Sequence, residues 1–436
     1  MVSPLARLLG GARVGELAVL AAAEILARPA PRPATSLLSP LSLLSPARPA
    51  APPGALPTAP PVLPTTLPGT LPGAGGLLRS PLNGPTGLGT SSLSPVRPPW
   101  APPSPPEPQP PPEPGRDRPG LPLHCPPPVR DDPALGEAVN ERLVAWAAEC
   151  GIYTDRLEQL RAAGFGRLLM LTHPDTDDPD RLLAAAKCAL AEWAVDDYYC
   201  DEESDGADPR LAGARLLLAN AAVDPVHLPL RYAPQLERGM REDPVLVALR
   251  TALEHLARYG TPSQVARLKH ELAAIFVAFG AEAAWRMAGG LPPVWQYLVN
   301  RQPNSFLPCI ALIDPVGGYE LPAAEYADPR IRRAVTTASL ASVLVNDLYS
   351  MAKESRSGTL DFNLPTLIAA EEGCSLSEAV RRSIEIHDEL VLTFEAEAAV
   401  LVPTGSPALQ RYLAGVYAWL GGNHEWHRTS PKYQEG

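Results

Sequence analysis

The sequence is poor in the features that mark secreted, membrane-spanning or nucleic-acid-binding chains. Its six cysteines (125, 150, 188, 200, 309 and 374) form no CxxC pair. That argues against a zinc ribbon or a disulfide framework and for reduced thiols in a cytoplasmic protein. Positive charge is in deficit: 37 Lys plus Arg against 48 Asp plus Glu leave a formal net charge of -11. No basic stripe is available for a nucleic-acid backbone. Long apolar runs are missing too. The opening "MVSPLARLLGGARVGELAVLAAAEILAR" is interrupted by Glu16 and Glu24 and falls short of the roughly 18 to 20 apolar residues of a membrane span. It reads as a short, loosely ordered helix rather than a signal segment. Alternating strand patterns, βαβ units and internal repeats are absent. The glycine-bearing "GGLPP" and "DPVGGYELP" are not preceded by a strand, which excludes a nucleotide phosphate loop.

Proline is the residue in excess. Of 54 prolines, 34 lie before residue 131, in stretches such as "RPPWAPPSPPEPQPPPEPG" that cannot bury enough apolar surface to offset chain entropy. Residues 1–120 are therefore expected to be a Pro-rich, largely disordered segment, partly polyproline-II. Residues 121–436 are enough for one large core. From Pro133 onward Ala, Leu, Arg and Glu recur with a period near 3.6. Helices are expected at 134–150, 180–200, 208–220, 243–259, 263–289, 291–302, 328–354, 375–401 and 405–425, giving an all-α domain of about ten helices.

Two polar constellations interrupt this apolar texture. The first is "AEWAVDDYYCDEES" (191–204), where Asp196, Asp197 and Asp201 follow a run that reads as buried helix. At about 100° per residue the three span an arc of roughly 140°. Carboxylates crowded in apolar surroundings repel one another unless a cation is present. They are also unfavourable at the negative end of a helix dipole. A hydrated helix end and a divalent-cation site both remain open on this stretch alone. The acids of nearby "HPDTDDPD" (173–180), broken by two prolines, read as ordinary capping.

The second constellation is "VNDLYSMAKESRSG" (345–358). Asn346, Ser350 and Glu354 stand at i, i+4 and i+8 and drift over roughly 80° of one helical face. An amide oxygen, a hydroxyl and a carboxylate are hard donors suited to Mg²⁺ rather than Zn²⁺. Lys353 is placed to meet an anion held by such a metal. The histidines show no zinc-site spacing with the cysteines and read as buried, capping or surface groups.

With these two motifs the chain resembles the class I terpene synthases. "DDYYCDE" (196–202) is similar to that family's aspartate-rich motif, and "NDLYSMAKE" (346–354) matches its second metal motif, NDxxSxxKE, at every defined position. The resemblance covers roughly 120–436 and implies a class I terpenoid synthase helical bundle with a central active-site cavity. The Pro-rich leader, "PLHCPPPVRDDPALGEAVNERLVAWA" and "HPDTDDPDRLLAAAKCALAEWAVDDYYCDE" narrow it to bacterial members acting on 2-methylgeranyl diphosphate, a methylated homologue of the usual monoterpene precursor. It implies Asp196 as the lead metal ligand, Asp197 and Asp201 as further ligands, and Asn346, Ser350 and Glu354 as the second set. Arg301, 45 positions upstream of Asn346, occupies the slot of the diphosphate sensor, and Lys353 matches the motif's lysine. The family commonly ends in an Arg-Tyr pair. Here Lys432-Tyr433 stands instead and keeps the charge without arginine's bidentate fork, with Arg428 nearby.

The resemblance further implies Mg²⁺, as three ions, closure on substrate binding, an isoprenyl diphosphate as the small-molecule partner, and an antiparallel homodimer. Ionising an allylic diphosphate makes an anion and a carbocation, so Arg301, Lys353 and Lys432 would meet the former. Aromatic faces would meet the latter: Trp193, one turn before Asp196, and then Phe276, Phe279, Phe306, Tyr349 and Trp419. Three rival readings compete. An isoprenyl diphosphate synthase would carry a second aspartate-rich motif where "NDLYSMAKE" stands. A cyclase of another methylated or ordinary diphosphate shares the framework. A non-catalytic helical scaffold recruiting partners through its Pro-rich tail would have no need of Asn346, Ser350 or Glu354.

Overall fold

The computed structural model describes residues 121–201, 207–354 and 362–431, without the side chains of Asp201 and of residues 352–354. The segment expected to be a disordered tail, 1–120, lies outside the described residues. Within them the chain runs α1 (Pro133–Cys150), α2 (Leu157–Ala163), α3 (Phe165–Thr172), α4 (Pro179–Asp196), a π-helical turn (Asp197–Asp201), α5 (Ala212–Val223), α6 (Ala233–Glu242), α7 (Pro244–Leu256) and α8 (Pro262–Ala288). It continues as α9 (Val294–Arg301), α10 (Leu307–Ile310), α11 (Ile313–Gly317), α12 (Ala323–Tyr326), α13 (Pro329–Glu354), α14 (Leu364–Glu372), α15 (Leu376–Leu401) and α16 (Pro407–Thr429). The described residues contain no strand.

One local device starts five of the long helices: a capping side chain followed at once by proline. Asp132, Asp178, Asp243, Thr261 and Ser406 each accept from a backbone N–H of the first turn, and Pro133, Pro179, Pro244, Pro262 and Pro407 follow them. Proline lacks a donor where none is needed, and each cap contributes about 1 kcal/mol. Thr261 and Gln264 complete a reciprocal capping box. The acids of "HPDTDDPD" are absorbed structurally in the same region. Asp178 caps α4, Asp177 pairs with Arg130, Asp175 pairs with Arg411, and Asp180 accepts from His255 and Tyr259.

The helices pack around α4, α13 and α16, with α1 and α3 on one flank and α8 on another. Trp419, Trp426, Tyr412, Phe279 and Phe394 are fully buried in the main core. A smaller cluster of Tyr297, Leu344, Phe362, Leu364 and Leu367 joins α9, α13 and α14. Close crossings depend on glycine. A Cβ on Gly166 of α3 would lie 2.3 Å from the Gly136 carbonyl oxygen of α1, and one on Gly422 of α16 would lie 2.7 Å from the Leu171 carbonyl oxygen.

Two expectations are corrected here. The described residues hold sixteen α-helices rather than about ten. Among the unanticipated ones, α10, α11 and α12 have only four or five residues, and α3 is buried at every residue but Arg167, so no polar face displays the period there. The helix expected over 180–200 also changes pitch at Asp197, where the π turn begins.

Candidate active site

The fold brings one face of α4 against α8, the α9–α10 connection and α13. The space between them is a narrow cavity lined by residues that include Glu192, Trp193, Asp196, Phe279, Arg301, Phe306 and Asn346. Its polar lining residues include Asp196, Arg301 and Asn346. The walls are apolar, formed by Trp193, Ile275, Phe279, Phe306 and Val343.

Asp196 is 3% exposed and faces this cavity. Asp197 does not join it. Its carboxylate accepts from the Tyr153 hydroxyl at 2.7 Å. The single arc expected for Asp196, Asp197 and Asp201 assumed continued α geometry. The wider π turn redirects the chain after Asp196, as such bulges do at functional sites. The turn is tied down from outside: Tyr199 donates to Asp243 at 2.6 Å, Arg215 to the Tyr198 carbonyl at 3.2 Å and Arg286 to the Cys200 carbonyl at 3.0 Å. The side chain of Asp201 lies outside the described residues.

Arg301, at the end of α9, is buried beside Asp347 of α13. Its Nε and Nη2 donate to one Asp347 oxygen at 3.1 and 2.7 Å, and its Nη1 to the Asn304 carbonyl at 3.2 Å. Burial works against the guanidinium's charge, but Asp347, Tyr297 and Glu282 outweigh it and hold its pKa above the usual value. Asp347 is itself fixed by the Tyr297 hydroxyl at 2.7 Å and the Leu364 amide at 3.0 Å. The motif's aspartate is therefore a clamp on the arginine rather than a group turned into the cavity, a role that sequence reasoning missed. Glu282 of α8 extends the network by accepting from Asn300 and Asn304.

Asn346 is oriented from α16. The Nδ1 of His427 sits 2.9 Å from the Asn423 carbonyl, which can only accept, so that nitrogen carries the proton. Nε2 is then an acceptor, 3.4 Å from the Asn346 amide nitrogen. This turns the Asn346 oxygen toward Arg301, whose Nη2 lies 3.4 Å away. His427 and Asn423 are one helical turn apart, a spacing visible in the sequence but without meaning until α16 meets α13. Ser350 is buried one turn beyond Asn346 on α13. The side chains of Lys353 and Glu354, and the residues Lys432 and Tyr433, lie outside the described residues. Arg428 is engaged with Glu425 at 2.9 Å.

Trp193 lines the cavity and packs edge-on against Phe165, with ring centroids 4.5 Å apart. Phe279 and Phe306 join it in the wall, whereas Phe276, Tyr349 and Trp419 are not among the lining residues. Glu192, one turn before Asp196, also opens into the cavity, and burial pushes its carboxyl up to about 8.

Among the described residues no three acids, histidines or cysteines converge on one point. The donors are divided between the Asp196 carboxylate on α4 and the Asn346 amide and Ser350 hydroxyl on α13. These hard-oxygen donors fit Mg²⁺; Asp196 and Asn346 line the cavity, and Ser350 is not among its lining residues. Also among the described residues, no helix is long and apolar enough to cross a membrane.

Residues 187–392, spanning both motifs, match the family model described as terpene synthase family 2, C-terminal metal binding. The chain belongs to the class I terpene synthases, lyases that act on diphosphates. Within that class its relatives include the 2-methylisoborneol synthase of Streptomyces ambofaciens, 40% identical over 360 residues, or 82% of this chain and 81% of the relative. The 2-methylisoborneol synthase of Streptomyces griseus is 42% identical over 319 residues, 72% of each chain. The crystal structure of the Streptomyces coelicolor 2-methylisoborneol synthase with Mg²⁺ and 2-fluoroneryl diphosphate superimposes with a TM-score of 0.69 at 40% identity. It covers 73% of this chain and 98% of that one.

Proposed function

We propose that the protein ionises 2-methylgeranyl diphosphate, cyclises the resulting cation and captures it with water, giving 2-methylisoborneol and diphosphate. One observation carries this reading: a single cavity is lined both by Asp196, Arg301 and Asn346 and by Trp193, Phe279 and Phe306. Cleaving an allylic C–O bond creates opposite charges that need these two environments. Mg²⁺, held by Asp196, Asn346 and Ser350 with Asp201 and Glu354 as further ligands, would neutralise charge on the leaving diphosphate; Asp197, turned to Tyr153, is left out of this set. Arg301, kept cationic by Asp347, presents fixed positive charge where the anion develops, without reorganisation during the reaction. Lys353, Lys432 and Tyr433 are assigned to the same anion. Trp193 offers a π face to the cation, and the apolar walls keep bulk water away until the last step.

Three Mg²⁺ ions, a cytoplasmic location and a homodimer belong to the same proposal. The free cysteines support the second. Trp295 and Val299, exposed one turn apart on α9, support the third. The test is incubation with geranyl, 2-methylgeranyl or farnesyl diphosphate and Mg²⁺, followed by gas chromatography of the volatiles. The proposal expects 2-methylisoborneol from the C11 substrate as the principal product. Faster turnover of farnesyl diphosphate would assign the chain to another cyclase activity, and no diphosphate release would remove the catalytic reading.

A further inference from the structure

We propose that the Glu192 carboxyl holds the water that captures the final carbocation, and that this residue therefore makes the product an alcohol rather than an olefin. The inference rests on the cyclase reading and extends it to a group that neither metal motif contains.

The argument is one of elimination among the polar residues lining the cavity. Asp196, Arg301 and Asn346 are assigned to the diphosphate. The Asn304 amide is committed to Glu282 at 2.6 Å. The Ser305 hydroxyl is committed to the Gln302 carbonyl at 2.6 Å and to Ser339 at 2.8 Å. Glu192 remains. It stands one helical turn before Asp196 on α4, about 6 Å along the axis and away from the motif end. Its surroundings are apolar. Trp193, Phe306 and Cys309 line the same cavity.

Among the described residues no group donates to the Glu192 carboxyl. A carboxyl that opens into an apolar cavity calls for a hydrogen-bond partner, and a water needs polar partners to be held in a cavity. Each supplies what the other requires. Burial also favours the neutral acid, which matters because a carboxylate facing the cation would trap it as an ester or remove a proton to give an olefin.

The capture step balances with groups already in the cavity. The carbonyl oxygen of neutral Glu192 accepts from one O–H of the water, which leaves an oxygen lone pair facing the cation. That pair forms the new C–O bond. The resulting oxonium loses its proton to the diphosphate released at ionisation. Glu192 touches the water and not the carbon skeleton, so it is a positioning residue for the substrate.

The test compares Glu192→Leu and Glu192→Gln for diphosphate release and for the alcohol-to-olefin ratio of the volatiles. Glu192→Leu should still release diphosphate while its alcohol-to-olefin ratio falls about tenfold, the effect of losing one hydrogen bond of ordinary strength. Glu192→Gln retains a carbonyl acceptor and should keep the ratio near that of the unaltered protein. The ratio is read per turnover, so partial misfolding does not obscure it, and Glu192→Met serves the same arm if the Leu variant does not fold. An unchanged ratio in the Leu or Met variant, or loss in Gln as complete as in Leu, overturns the assignment. Failure of the unaltered protein to release diphosphate from any isoprenyl diphosphate would instead overturn the cyclase reading itself.

Discussion

Arg301 and Asp347 form a buried ion pair across the α9–α13 contact, 2.7 Å apart at Nη2, with Asp347 also accepting from Tyr297 and the Leu364 amide. One acid thus fixes the cavity-lining arginine and ties α14 to α13. Asp347→Asn leaves that arginine uncompensated and should lower folding stability by about 3 to 5 kcal/mol. Diphosphate release should fall with it. Chemical denaturation measures the first effect. A double variant with Arg301→Gln should lose less stability than the two single losses combined, because no charge is then stranded.

The π turn separates two neighbouring acids that the sequence presents as equivalents. Asp196→Asn, in the cavity, should reduce Mg²⁺-dependent turnover by a factor of about 100 or more, and Glu354→Gln should do the same. Asp197→Asn should act mainly on stability through the Tyr153 contact. Initial rates across a Mg²⁺ titration distinguish them: equal losses in Asp196→Asn and Asp197→Asn would refute the division.

His427 acts through Asn346. His427→Phe keeps an aromatic ring beside Phe306 and Trp426 but removes the acceptor that orients the asparagine. The apparent Mg²⁺ affinity should fall about 10- to 100-fold, in line with loss of a partner behind a metal ligand, while the thermal midpoint moves little.

His173 is buried under Trp419, and burial lowers its pKa from 6.5 to about 4. Between those values the unfolded chain binds a proton that the folded chain does not, so stability falls as pH drops through this window. The full effect is about 3 kcal/mol for this group alone. Above pH 6.5 both states are neutral and the contribution vanishes. Melting curves from pH 7.5 to 4.5 should show the decline, and His173→Gln should flatten it.

Residues 121–130 are stitched to the helical domain. Arg130 donates to the carbonyls of Met170, His173 and Thr176, and His124 bonds Asp388 and Glu395. Removing residues 1–115 should leave turnover intact. Extending the deletion through Arg130 should lower both the thermal midpoint and activity. Loss of turnover by a folded 1–115 deletion would show that the Pro-rich segment takes part in catalysis.

By itself the sequence determined the elements and the chemistry they carry. The period near 3.6, the Asp-Pro, Thr-Pro and Ser-Pro helix starts, and the donor spacing of Asn346, Ser350 and Glu354 are local properties, written in residues one or two turns apart. The long helices were legible for that reason, whereas the joining of Asp196, Arg301 and Asn346 in one site rested on the motifs' resemblance to the class I terpene synthases. Short helices such as α10 and α11 were not, since four or five residues span too few turns to show a period. The acids of "DDYYCDE" could not be sorted either, because their directions depend on a change of helical pitch stabilised by Asp243, Arg215 and Arg286 from distant elements. Only tertiary structure decided that Asp347 clamps Arg301, that His427 aims Asn346, and that Glu192 enters the cavity. Each is a contact between residues separated by dozens of positions or more, whose geometry exists only once α4, α13 and α16 have packed.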